Sequence, residues 1–205
     1  MAFPAKHATM DVDALHATEL YIKLQKVRMK QEALEVLKNR RAIRKFKADQ
    51  ITKEELSAVL EAGTFAPTGA GTQGVQIVAV QTPAYLERVK ALNARILGRP
   101  GMDPYYGAPT VVLVFETEKC YTRMLDGAAV CTNMVNAAYA AYAAGLGSCW
   151  IHRCKEMFET PEGKELLKEW GLPENLTGVS SLALGYADCP QPQAAPRREG
   201  YVLIV

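Results

Sequence analysis

The sequence predicts an α+β fold built around a mixed sheet. Short apolar runs of strand length, Val75–Val80, Pro109–Phe115 and Val179–Tyr186, are interspersed with longer amphipathic stretches. The order of these runs lacks the strict βαβ alternation of a doubly wound fold. Hydrophobic residues make up 49% of 205 residues and charged ones 22%, enough for one domain with a real core.

Residues 11–39 carry Leu15, Leu20, Leu24, Val27, Leu34 and Leu37 at a rough three-to-four spacing and read as helix. Residues 1–28 are expected to form an N-terminal helical arm ahead of a domain spanning 29–205. Thr52-Lys53-Glu54-Glu55 is a capping box that opens a helix running to about Ala66, with Leu56, Val59, Leu60 and Ala62 inward and Pro67 as its stop. Val75–Val80 is a strand. Thr82-Pro83 opens a helix to about Leu97, and Gly98–Gly107 is a loop. Pro109–Phe115 lacks polar alternation and reads as a strand buried on both faces. A long helix over 126–144 ends at Gly145, a short strand covers Ser148–Ile151, and a helix over 155–170 stops at Gly171 and Pro173. Val179–Tyr186 is a strand, the proline-rich stretch to Gly200 is extended, and Tyr201–Val205 is a last strand.

The net charge of +2 is too small for the whole surface to hold a polyanion. Charge is instead local. Lys38–Lys47 contains six basic residues and no acidic one, while the rest of the chain sets 18 basic residues against 22 acidic ones. Ile43 and Phe46 interrupt the run, so it also packs. Arginine suits phosphate because its planar fork donates paired hydrogen bonds and stays charged. Five cysteines, with no CxxC pair, and three scattered histidines give no metal-ligand spacing and point to reduced thiols in a cytoplasmic protein. Lys6, Asp11 and Asp13 break any secretory leader, and Asn133 and Asn136 make helix 126–144 a core helix rather than a membrane span.

Gly69-Ala70-Gly71-Thr72-Gln73-Gly74 matches GxGxxG, but a helix precedes it and a strand follows. That is the reverse of a dinucleotide-binding turn. Its glycines instead let main-chain amides approach a flat ligand. Gly145–Arg153 leaves the long helix sharply and presents Trp150, Ile151, His152 and Arg153 in a row; alone, this reads more readily as a helix end leading into a core strand than as a ligand site. Arg197-Arg198 matters only if the tail folds back to an anion.

Taken in order, Arg40–Phe46, Ala66–Gly69 with Gln73, Tyr105–Pro109, Asp126-Gly127 with Asn133-Met134, Gly145–Ile151, Leu184–Tyr186 and Pro196–Arg198 resemble the nitroreductase family. The resemblance covers about Met29 to Arg198. It implies an α+β sandwich, a mostly antiparallel sheet flanked by helices, and a homodimer with FMN at each subunit interface. It further implies Arg40 and Arg41 towards the FMN phosphate and ribityl chain, Ala42 through its backbone, and Arg44 near the N1–O2 ring edge. Pro67, Thr68 and Gly69, with Gly71 and Gln73, would lie along the flavin from the partner subunit. Trp150, Ile151, His152 and Arg153 would face the other side of the ring, and Arg197 and Arg198 the phosphate. This chain departs from the family pattern at Ala42, where serine is usual, at Gly71, where asparagine is frequent, and at Gly74-Val75, where proline-tryptophan is frequent.

The reaction implied is ping-pong: NADH or NADPH delivers hydride, and a nitroaromatic, quinone or activated enone then accepts it. Tyr105, Tyr106 and His152 are candidate proton donors, but no residue is required in that role. The residues alone leave two further readings: a phospholigand or nucleic-acid module using Lys38–Lys47, and a thiol switch at Cys149 and Cys154.

Overall fold

A computed structural model describes residues 33–120, 122, 124–141 and 145–205. The expected arm over 1–28 and its boundary lie outside them. Residues 33–39 are helical (α1), and 40–205 form the unit that carries the sheet.

That unit runs α2 (Lys53–Thr64), a 3-10 turn (Gly69–Gly71), β1 (Val75–Val80), α3 (Pro83–Ile96), β2 (Thr110–Glu116), α4 (Leu125–Ala140), β3 (Leu146–Ile151), α5 (Cys154–Glu159), α6 (Pro161–Glu169) and β4 (Thr177–Tyr186). The strands form one sheet in the order β1-β2-β4-β3, and each ladder is antiparallel. β2 is buried along its whole length, as its lack of polar alternation requires. Its period of two sends Val111, Leu113 and Phe115 towards Leu86, Val89, Met157 and Phe158 of α3 and α5. Val112 and Val114 point the other way, towards Val59 of α2 and Val130 and Met134 of α4. The result is a sheet between two helical layers.

The capping box forms as read: Thr52 Oγ1 accepts from Glu55 N at 3.1 Å and Thr52 N donates to Glu55 Oε2 at 2.9 Å. α2 stops at Thr64, short of the expected Ala66. The single helix expected over 155–170 is two. Pro161 has no N–H to continue α5, and Thr160 caps a new helix by accepting from Gly163 N at 3.1 Å. The expected last strand is not formed. Residues 201–205 join no ladder and are 68–111% exposed. No helix among the described residues is long and apolar enough to cross a membrane.

Candidate functional site

Main-chain bonds lay the arginine segment along the β3 edge. Ile43 N donates to Ser148 O, Lys47 N to Tyr186 O, and Asp188 N to Lys45 O, each at 2.9 Å, while Phe46 bridges Ala187. Ile43 and Phe46 are buried, which leaves Arg44 exposed and Arg40, Arg41 and Ala42 half-buried. Only glycine permits this approach at residue 147: a Cβ there would lie 2.7 Å from Ile43 Cγ1.

The charges on the segment are used unequally. Lys45 forms an ion pair with Asp188 at 2.7 Å, which raises the lysine and lowers the carboxyl. Arg41 donates from Nη1 to Arg40 O at 2.5 Å. Neither Arg40 nor Arg44 has a carboxylate partner among the described residues. Both guanidinium groups act on Cys149 of β3. Burial pushes that thiol up, and Arg44 and then Arg40 oppose it.

The stretch after Ser148 divides by strand alternation. Trp150 is 40% exposed, Ile151 is buried and His152 is exposed. Arg153, half-buried with φ of +83°, turns its Nε inward to Asn93 Oδ1 at 2.9 Å. Tyr105 is fully buried, with its hydroxyl 3.0 Å from both Asn93 Nδ2 and Ser181 Oγ, and burial drives its ionisation upward. It is therefore not an available proton donor, in contrast to the sequence expectation. Nor do Cys149 and Cys154 suit a thiol switch, since both are buried and burial raises both thiols.

The loop Pro67–Gly74 lies at the other edge, before β1. Gly69 N donates to both carboxylate oxygens of buried Asp126 at 3.1 Å. Gln73 N donates to Thr68 Oγ1 at 3.1 Å, Gly71 N to Thr68 O at 3.0 Å, and Thr117 N to Gly74 O at 2.9 Å. A Cβ on Gly74 would meet Cys120 N at 2.7 Å, so this glycine lets two backbones touch. Ala70, Gly71 and Gln73 all have positive φ. The loop follows a helix and precedes a strand, as the sequence order requires.

One chain thus lays the segment bearing Arg40, Arg41, Ala42 and Arg44 along β3, the strand that ends at Trp150 and Ile151. Two strands separate β1 from β3, which at the usual strand spacing is roughly 14 Å between edges. The arginine pair in the tail is exposed: Arg197 Nη2 donates to Ala195 O at 2.6 Å, and Arg198 lies over the Tyr201 ring at 5.3 Å.

The sequence model of the family described as "Nitroreductase family" matches residues 37–186. The chain belongs to the nitroreductase family. A crystal structure of a nitroreductase with bound FMN from Bacteroides fragilis is 32% identical, with a TM-score of 0.73, over 84% of this chain and 98% of that one. A nitroreductase with bound FMN from Desulfitobacterium hafniense shares the fold at 23% identity and a TM-score of 0.73, over 85% of this chain and 98% of that one. A protein of Archaeoglobus fulgidus, provisionally named an NADH dehydrogenase/NAD(P)H nitroreductase, is 27% identical over 159 residues, 76% of this chain and 86% of its own length.

Two residues that hold these elements from behind, Asn93 and Asp126, are not among the site residues the sequence predicts. Asn93 stands at the inward helical spacing of Leu86 and Val89, so an amide on an apolar face was its available signal. Asp126 opens α4, and a buried carboxylate there was legible as a helix-start residue but not as the anchor of a loop 57 residues away.

Proposed function

We propose that this protein is an FMN-dependent oxidoreductase that takes hydride from NADH or NADPH and reduces nitroaromatic, quinone or other electron-poor acceptors in a ping-pong reaction. The observation that carries this is the Ile43–Ser148 main-chain joint, which holds the segment bearing Arg40 and Arg44 against β3, the strand that also bears the half-exposed Trp150. Two guanidinium groups without carboxylate partners among the described residues fit a phosphorylated, flat, anionic group. The bound FMN of the Bacteroides fragilis relative, and the nicotinamide-linked name of the Archaeoglobus relative, support the choice of cofactor and donor.

FMN supplies the hydride chemistry when bound. Arg40 and Arg41, with the backbone of Ala42, hold its phosphate end. Arg44 supplies a fixed cation that favours negative charge at the ring edge. Trp150, Ile151 and His152 border the ring, with Pro67, Thr68, Gly69, Gly71 and Gln73 approaching it from a second copy of the chain. Arg197 and Arg198 join the phosphate end. Two features support a homodimer. The halves of the site lie on opposite edges of one sheet, and Tyr201–Val205 exposes five apolar residues that a second copy can cover. Five free cysteines support a reducing, cytoplasmic setting. Residues 1–28 are an appended arm, and 29–205 hold FMN without it.

The test is spectroscopic. Purified protein incubated with FMN and desalted retains a flavin absorbance band, which bleaches on anaerobic addition of NADH or NADPH and recovers with a quinone or nitroaromatic. Colourless protein after desalting refutes the proposal. Arg40→Ala lowers FMN affinity about ten- to a hundredfold, the loss of one charge-assisted contact, with the unfolding midpoint unchanged.

A further inference from the structure

The turn Trp150–Arg153 is gripped from inside the protein at three successive residues. Ser181 Oγ donates to Ile151 O at 3.3 Å, Asn93 Nδ2 donates to His152 O at 3.3 Å, and Arg153 Nε donates to Asn93 Oδ1 at 2.9 Å. Asn93 is fully buried on α3, and Ser181 is fully buried on β4. Tyr105 closes the network, its hydroxyl 3.0 Å from both Asn93 Nδ2 and Ser181 Oγ. At the exit of this grip Arg153 adopts φ of +83° and ψ of 7°, a left-handed conformation that strains any residue with a Cβ. Arg153 caps α5 without a side-chain hydrogen bond to that helix.

A strained residue persists only where its surroundings over-determine it. Here the compensation is visible: the side chain that bears the strain is the one bonded into the buried amide. We propose that Asn93 and Arg153 are a positioning pair that fixes the Trp150–Arg153 turn, so that Arg153 serves the site through Asn93 and not as a cofactor ligand. This inference rests on the FMN reading for its consequence, but not for its geometry.

The pair makes a prediction that a ligand arginine does not. Asn93 is out of reach of any bound molecule, so Asn93→Ala should reproduce Arg153→Ala, and the double variant should add little to either. Arg153→Gly should outperform Arg153→Ala, because glycine adopts φ of +83° without strain. The experiment uses full-length protein carrying Trp170→Phe, which leaves Trp150 as its single tryptophan. Two quantities are read: the fluorescence anisotropy of Trp150 without FMN, and the dissociation constant for FMN.

Expected results are lower anisotropy and about tenfold weaker FMN binding in Arg153→Ala and Asn93→Ala alike, with about fivefold of that loss recovered in Arg153→Gly. The proposal is overturned if Arg153→Gly and Arg153→Ala lose FMN equally while Asn93→Ala binds it normally and all three keep the parental anisotropy. That pattern is a direct guanidinium contact. If the parental protein binds no FMN, the functional reading fails by itself. Anisotropy then decides alone: a drop in both single variants supports the pair, and no drop removes it.

Discussion

At the β3 edge, the segment over residues 40–47 is fixed by its main chain, through Ile43, Lys45 and Lys47, and Arg40 and Arg44 keep charge that no carboxylate among the described residues neutralises. At the β1 edge the arrangement is inverted. The loop 67–74 is fixed by a side chain, the buried carboxylate of Asp126, and presents a bent main chain with no basic residue in it. The first edge offers charge on a rigid backbone, suited to gripping a phosphate. The second offers backbone shape, suited to lying along a flat ring. A substitution at one edge should therefore change cofactor grip, and one at the other should change the loop and leave the grip alone.

The largest effect expected from breaking that contrast is at Gly147. Gly147→Ala sets a Cβ within 3.2 Å of three atoms of Ile43, inside a buried joint. It should cost about 2 kcal/mol of stability in urea titration, within the usual range for overpacking, and weaken FMN binding as the arginine segment lifts off β3. Lost stability with unchanged FMN affinity would mean that the segment does not form the grip.

The two edges also differ in how far they could be read from the sequence. The arginine run, the capping box at Thr52 and the buried strand β2 are local patterns, each contained in ten residues or fewer. The glycine-rich loop could be placed by order alone, since α2 before it and β1 after it follow from periodicity. What fixes these pieces is long-range. Asp126 reaches Gly69 across 57 positions and Arg153 reaches Asn93 across 60, separations that no periodicity encodes. The split at Pro161 is legible in the sequence: a threonine followed by proline is the same helix-start signal as Thr82-Pro83, and it outweighs the continuous apolar spacing over 155–170. The apolar tail reads as a strand because its composition favours one; composition does not supply a neighbour.

A smaller effect isolates the β1 edge. Asp126→Asn keeps the shape and one acceptor but removes the charge that strengthens the bonds from Gly69 N. It should cost about 1 kcal/mol of stability, speed amide exchange at Gly69, and shift the relative rates for different acceptors while FMN affinity stays within about threefold. A loss of FMN affinity as large as that of Arg40→Ala would erase the division of labour between the edges.

The smallest effect lies where the two regions meet. The carbonyl of Tyr186 holds Lys47 N at 2.9 Å, and its phenol donates to Glu55 Oε2 at 2.7 Å, at the start of the helix that leads to the loop. The Tyr186 hydrogen bond, and then the main-chain bond from Thr52, hold the Glu55 carboxyl below the usual glutamate range. A lowered carboxyl stabilises the fold above its unfolded pKa of about 4.3, and that contribution fades as pH falls through the lower folded value. Glu55→Gln should therefore remove about a few tenths of a kcal/mol at pH 7, consistent with a solvent-screened contact, and flatten the loss of stability below about pH 4. Urea midpoints taken from pH 3 to 7 measure both. Parallel curves for parent and variant across that range would show that the link between the arginine segment and the loop does not run through this carboxylate.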